Sequence, residues 1–228
     1  MKFVAGSLLD YLTPDDRAFL VDRGLPRKLP ADVAVMHEGD PTDHVLILLS
    51  GWVRVYSTTR DGGVVLLALR GPGDLIGDIA ALQKWPRTAN IQSLQEIRFV
   101  QLLADEFMTC LHERPTIAIA LLRQMSSRLL ESESARVNAA TLDVTRRVAT
   151  LLLQLAEVHG RQEENGLVVR VPLTQQDIAD RIGASRRAVA RALATLRERG
   201  ILHTGRQMFV VTEPGVLRLF TDSAPNCT

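Results

Sequence analysis

The chain has 228 residues, of which 46% are hydrophobic and 23% charged with a net charge of +1, a balance that suits one large or two modest globular domains. No apolar run reaches the roughly 18–20 residues of a membrane-spanning helix, and the N-terminus lacks a cleavable signal pattern. Two widely spaced cysteines, Cys110 and Cys227, exclude a disulfide framework and a CxxC metal site, so the expected compartment is reducing and cytoplasmic.

A short helix is predicted near residues 7–21. From about Arg27 to Leu103 the pattern is short β-like runs, at 33–37, 44–49, 52–57, 64–69, 91–94 and 97–102. Glycine turns separate them, among them Glu38-Gly39-Asp40, Ser50-Gly51, Asp61-Gly62-Gly63 and Gly71-Pro72-Gly73-Asp74. Runs of about five residues at this spacing predict a β-sandwich or jelly-roll-like β-roll, flanked by a second short helix at 104–112.

Residues 114–142 change character, since no glycine occurs between Gly77 and Gly160. Leu122, Met125, Leu129, Ser132, Arg136 and Ala139 follow the 3-4-3-4-3 spacing of a coiled-coil seam. A long helix of this kind buries little against a small β-roll, so a second copy of the chain is the expected mate. Ser132 and Arg136 are polar seam positions, suited to setting register or reaching a ligand.

A Leu-rich helix is predicted at 143–158, then a polar loop at 159–166 and a short strand at 167–171. The stretch from Thr174 to Leu202 carries two apolar-periodic segments joined by Ile182-Gly183-Ala184-Ser185, which reads as a helix-turn-helix with Ser185 capping the second helix. That helix opens with Arg186 and Arg187, against the positive end of its own macrodipole. An anion outside the protein, a DNA backbone with base acceptors in reach, accounts for that placement. Residues 201–204 and 207–211 flank Gly205-Arg206 as a β-hairpin wing, and a last short helix at 216–220 precedes a disordered end. The charge follows the same division: residues 1–113 hold 11 Lys and Arg against 15 Asp and Glu, whereas residues 170–210 hold 8 Arg against 3 acids.

The residues Gly77-Asp78-Ile79-Ala80-Ala81-Leu82 and Pro86-Arg87-Thr88-Ala89-Asn90 resemble the phosphate-binding cassette of the cyclic-AMP receptor protein/FNR superfamily of bacterial transcription regulators. The resemblance spans nearly the whole chain. It implies an α+β fold with an effector domain at 1–113, a dimerisation helix at 114–142 and a winged helix-turn-helix at 143–228. The chemistry of the cassette agrees: a helix start at Gly77 and Asp78 favours an anion, Arg87 can fork onto phosphate oxygens, and Thr88 can donate a hydroxyl.

By the same resemblance, Asp78 stands where the family's glutamate accepts a ribose 2′-hydroxyl, shorter by one methylene or roughly 1.5 Å of reach. Arg128 and Ser132 match purine-contacting positions, Ser132 in place of a threonine, and Glu133 replaces a serine contributed by the second subunit. The implied effector is cyclic AMP, with cyclic GMP (Thr88 resembles guanine-selective relatives), another small ligand or no effector as the alternatives.

The resemblance also assigns Arg186, Arg187 and Arg191 to the DNA major groove. Arg187 departs from the family's pattern, in which a glutamate there reads cytosine; arginine pairs best with guanine. Ser185, Thr174, Gln175 and, on the wing, Arg206 are expected on phosphates, with Arg197 and Arg199 serving proximity to the backbone or solubility. The expected partners are palindromic double-stranded DNA, a second copy of the chain and RNA polymerase. An iron–sulphur branch needs about four cysteines and a haem branch needs axial ligands that the scattered His37, His44 and His112 do not supply. No HxH metal constellation or nucleophile–base arrangement supports an enzyme.

Overall fold

The computed structural model describes residues 3–41, 43–205 and 207–222, and its chain divides into two units, residues 1–131 and 132–228. The first begins with helices α1 (Leu8–Tyr11) and α2 (Pro14–Asp22) and strands β1 (Leu25–Leu29), β2 (Ala34–Met36), β3 (His44–Ser50), β4 (Val53–Thr58), β5 (Val64–Arg70) and β6 (Leu75–Ile76). Helix α3 (Asp78–Gln83), strands β7 (Asn90–Ser93) and β8 (Ile97–Leu103), and helices α4 (Ala104–Glu113) and α5 (Pro115–Thr141) follow.

Two four-stranded antiparallel sheets, ordered β1-β8-β3-β6 and β2-β7-β4-β5, form the β-roll. Strand β3 has no polar face because both of its faces are covered. Leu46 and Leu48 enter a core with Val53, Ile91 and Phe99 from both sheets, while Val45 and Ile47 turn to a second core with Leu9, Phe107, Ile117 and Leu121 from the helices.

The single helix expected at 7–21 is two helices. Leu12 is extended, Thr13 caps α2 by accepting from the Asp16 N–H, and Pro14 occupies the first helical position, where it needs no hydrogen-bond acceptor. Strand β1 escaped the sequence reading because four of its five residues are exposed, leaving no alternation to read.

The second unit takes the end of α5 into helix α6 (Val144–His159), strands β9 (Arg161–Glu163) and β10 (Gly166–Val169), and helices α7 (Gln175–Ile182) and α8 (Arg186–Glu198). Strands β11 (Leu202–Gly205) and β12 (Met208–Val211) and helix α9 (Pro214–Asp222) complete it. The polar stretch 159–166, expected as a loop, contains β9, which pairs antiparallel with β10 and extends the wing to a four-stranded sheet, β11-β12-β10-β9. All three β9 residues are exposed, so backbone pairing rather than an apolar pattern forms the strand. Arg147 of α6 donates to the Ile182 carbonyl at 2.7 Å, satisfying a free acceptor at the C-terminal end of α7. The expected disordered end at 223–228 and Cys227 lie outside the described residues.

Candidate ligand cassette and nucleic-acid interface

The cassette begins where β6 passes into α3. Gly77 adopts φ +82°, a left-handed conformation that glycine takes at no steric cost. It also needs no side chain for a second reason: a Cβ at Gly77 would lie 2.3 Å from the Arg87 Nη1 atom. Arg87 is 5% exposed and lies across that glycine, with Nη2 donating to the His44 carbonyl at 2.9 Å. The Arg87 backbone N–H is held by the Asp40 carbonyl, and its carbonyl accepts from the Gly39 N–H, so the turn at 38–40 fixes the arginine's origin.

Among the described residues the buried Nη1 of Arg87 has no hydrogen-bond partner. Burial pushes the guanidinium below its ordinary pKa, opposed by the Asp43 and Asp40 carboxylates. A buried cationic donor without an acceptor is costly. The residues therefore fit an anion: an unpaired guanidinium N–H beside a glycine at a helix start. Thr88 is exposed beside it, Ala80 is buried, and Ile79 faces solvent.

Asp78 is 4% exposed and accepts from Arg128 Nη1 at 2.9 Å. Arg128 Nη2 donates to the Leu75 carbonyl at 2.6 Å and approaches Asp74 at 3.4 Å. Two residues expected on different parts of a nucleotide are thus joined to each other. Ser132 and Glu133 are exposed on the same helix, about one turn beyond Arg128. Asp74 and the carbonyls of Leu75 and His44 support this site without any local sequence signal.

In the second unit, Gly183 takes φ +64° and ends α7, and the Gly183 and Ala184 N–H groups both return to the Ala179 carbonyl. Ser185 then caps α8, accepting from the Ala188 N–H at 3.2 Å. Val189, Ala192, Leu193 and Leu196 are buried along one face of α8, and Arg186, Arg187 and Arg191 are exposed on the other. No described residue pairs with these three arginines, which leaves a row of free guanidinium groups for an anionic groove.

Thr174 is exposed at the start of α7, yet its hydroxyl belongs to a capping box: it donates to the Asp177 carboxylate at 2.6 Å and accepts from the Asp177 N–H at 3.1 Å. The spacing Thr-x-x-Asp carried that signal in the sequence. Gln175 is half-buried and lines a cavity of about 170 Å³ with Leu173, Thr204 and Phe209, under the wing. Arg197 donates to the Thr204 hydroxyl at 3.2 Å, tying α8 to the wing, a role its late position in the helix did not reveal. Arg206 lies outside the described residues. Among the described residues no group of His, Cys, Asp or Glu could hold a metal ion, and no helix is long and apolar enough to cross a membrane.

Residues 26–114 match the cyclic nucleotide-binding domain and residues 146–220 the Crp-like helix-turn-helix domain. The CRP-like cAMP-activated global transcriptional regulator of Mycobacterium tuberculosis is 36% identical over 187 residues, covering 82% of this chain and 84% of that protein. The chain belongs to the CRP/FNR superfamily of bacterial transcription regulators. Solved structures share the fold. FixK2 from Bradyrhizobium japonicum covers 88% of this chain and 98% of its own with a TM-score of 0.77 at 22% identity. A CooA mutant from Carboxydothermus hydrogenoformans covers 97% and 98% with a TM-score of 0.79 at 19% identity.

As a CRP/FNR protein, the chain is a transcription regulator with a DNA-binding helix-turn-helix and a cyclic nucleotide-binding domain, in a family of regulators rather than enzymes. The unpaired Arg87 lies in the domain named for nucleotide binding, and the exposed arginines of α8 lie in the domain named for the helix-turn-helix.

Proposed function

We propose that this CRP/FNR protein is a cytoplasmic homodimer whose affinity for a palindromic operator rises when cyclic AMP occupies the cassette. The observation that carries this reading is Arg87: a buried guanidinium with one nitrogen lacking an acceptor, across a glycine that leaves it room. A phosphate supplies that acceptor through a charge-assisted hydrogen bond. Its neighbours in the cassette are Gly77, Ile79, Ala80 and Thr88. Asp78 accepts a ribose hydroxyl, Arg128 and Ser132 face the purine, and Glu133 comes from the second copy. The Mycobacterium relative, cAMP-activated by name, supports the choice of nucleotide.

Helix α5 supports the dimer. Ile119, Leu122, Leu129, Leu130 and Val137 are between 51% and 64% exposed, an apolar series that a second copy of the helix covers. The functional division then runs 1–113, 114–142 and 143–228, effector domain, dimer helix and DNA reader. Two copies of α8 enter major grooves about one helical turn apart, with Arg186, Arg187 and Arg191 on base edges and Thr174, Gln175, Ser185 and Arg206 toward phosphates. RNA polymerase is the partner through which bound dimers act on transcription.

A second reading, regulation without an effector, is favoured by the Asp78–Arg128 ion pair at 2.9 Å, which engages the carboxylate that a ribose hydroxyl would need. Calorimetry of the purified protein with cyclic AMP and with cyclic GMP, paired with selection of operators from a random DNA library with and without nucleotide, decides between them. Saturable heat with cyclic AMP and a stronger shift of selected DNA support the first reading. Operator binding with no heat from either nucleotide supports the second.

A further inference from the structure

Strand β6 is two residues long, and the backbone of Leu75 is gripped at both ends by α5. The Leu75 N–H donates to Gln124 Oε1 at 3.3 Å, and its carbonyl accepts from Arg128 Nη2 at 2.6 Å. Gln124 and Arg128 are four residues apart, one turn of the same helix face. The Gln124 oxygen also accepts from the Leu8 N–H of α1 at 2.9 Å, so three elements meet at one side-chain atom. Gln124 is 1% exposed, which leaves no water to replace the bonds it makes. Among the described residues its Nε2 has no partner, so the bonds the side chain makes are through its oxygen.

The geometry points to Gln124 as a positioning residue that turns cassette occupancy into movement of α5. This rests on the proposed control of DNA binding by cyclic AMP. Arg128 alone is a poor transmitter, because its long side chain can change rotamer when a ligand hydroxyl claims part of Asp78. With Gln124 holding the Leu75 N–H, α5 and β6 are fastened at two points a turn apart. A shift at Asp78 then reaches the helix backbone instead of being absorbed by the arginine. The hydrogen bonds of the carboxamide go to Leu8 and Leu75 and not to Arg87 or Asp78, so its loss is expected to leave the ligand contacts in place.

The experiment compares wild type, Gln124→Met, which keeps length but removes the acceptor, and Gln124→Glu, which restores it. Cyclic AMP affinity is measured by calorimetry, and operator affinity with and without saturating cyclic AMP gives the coupling ratio. In Gln124→Met the nucleotide affinity stays within about threefold while the coupling ratio falls about tenfold, within the usual range of allosteric coupling. Gln124→Glu recovers most of the ratio. A Gln124→Met protein with the wild-type ratio, or one that loses nucleotide affinity as steeply as coupling, overturns the assignment. If Gln124→Met does not fold, the same ratio is read on Gln124→Asn, whose oxygen is withdrawn by one methylene, with the same two outcomes. A wild type whose operator affinity ignores cyclic AMP overturns both the coupling role and the reading beneath it, which a defect confined to the variants does not.

Discussion

Arg128 donates to Asp78 at 2.9 Å, and the carboxylate so engaged is 4% exposed. One methylene more would bring the carboxylate roughly 1.5 Å further toward a ribose without surrendering the arginine. Asp78→Glu is therefore expected to raise cyclic AMP affinity by about two- to tenfold, the worth of one improved hydrogen bond. Calorimetric titration of both proteins measures it. Unchanged or weaker binding in the glutamate variant contradicts the placement of Asp78 at the ribose.

The arginines of α8 make a sequence-specific prediction. Arg187→Glu is expected to move preference at its base pair from guanine toward cytosine, at a cost of about 1–3 kcal/mol for the wrong base. Arg186→Ala and Arg191→Ala should erase sequence preference while the dimer and its melting temperature persist. Competition gel shifts with half-sites permuted one base pair at a time read both effects. Identical preferences in wild type and Arg187→Glu would remove that residue from the groove.

Charge placed on the exposed face of α5 tests the dimer. Leu122 and Leu129 are 64% and 60% exposed and seven residues apart. A Leu122→Glu/Leu129→Glu double variant is expected to sediment as a folded monomer. Its operator affinity should fall by about 10²-fold or more, because two linked half-site contacts become independent. A double variant that still sediments as a dimer places the interface elsewhere.

Asp16 gives a pH dependence. Its carboxylate accepts from Arg114 at 2.9 Å, Thr116 at 2.9 Å and Thr13 at 3.1 Å, joining α2 to the start of α5. The Arg114 hydrogen bond, with the two hydroxyls, outweighs burial and holds the carboxyl below its ordinary range. A pKa lowered by folding contributes stability that is fully present above the unfolded value of about 3.9 and is lost as pH falls through the folded one. Asp16→Asn is thus expected to cost about 1–3 kcal/mol at pH 7. Urea melts at pH 7 and pH 3 should show the gap closing at acid pH; an equal gap at both assigns the effect to shape rather than charge.

The elements legible in the sequence were those with local chemistry. Ser185, Gly183 and the arginines after them define a cap, a left-handed turn and an exposed face within a few residues, and the helix-turn-helix stands where they put it. The turn into α3 was legible as Gly77-Asp78, and Arg87 lies against it. The pairing of Asp78 with Arg128 was not, because the partners are 50 residues apart and either one alone reads as a ligand contact. Gln124 carried no signal at all: a glutamine in a long helix is ordinary until a neighbouring strand with unpaired backbone groups is laid beside it. Strands β1 and β9 were hidden for the opposite reason, since exposed edge strands are stabilised by backbone pairing and leave side chains free to be anything.

Gly77 and Arg87 are tied by space. A side chain at 77 would meet Arg87 Nη1, so alanine there conflicts both with the neighbour and with the left-handed torsion of +82°. Shortening Arg87 removes the closest conflict and leaves the torsion, about 1–2 kcal/mol, with the Met36 methyl and the His44 carbonyl still 3.2 and 3.3 Å from the added carbon. The two positions are therefore epistatic, with the glycine more strongly required while the arginine remains than after it is gone. A lineage that loses the arginine is released from part of the constraint on its neighbour, so drift at 77 should follow loss at 87 and not precede it.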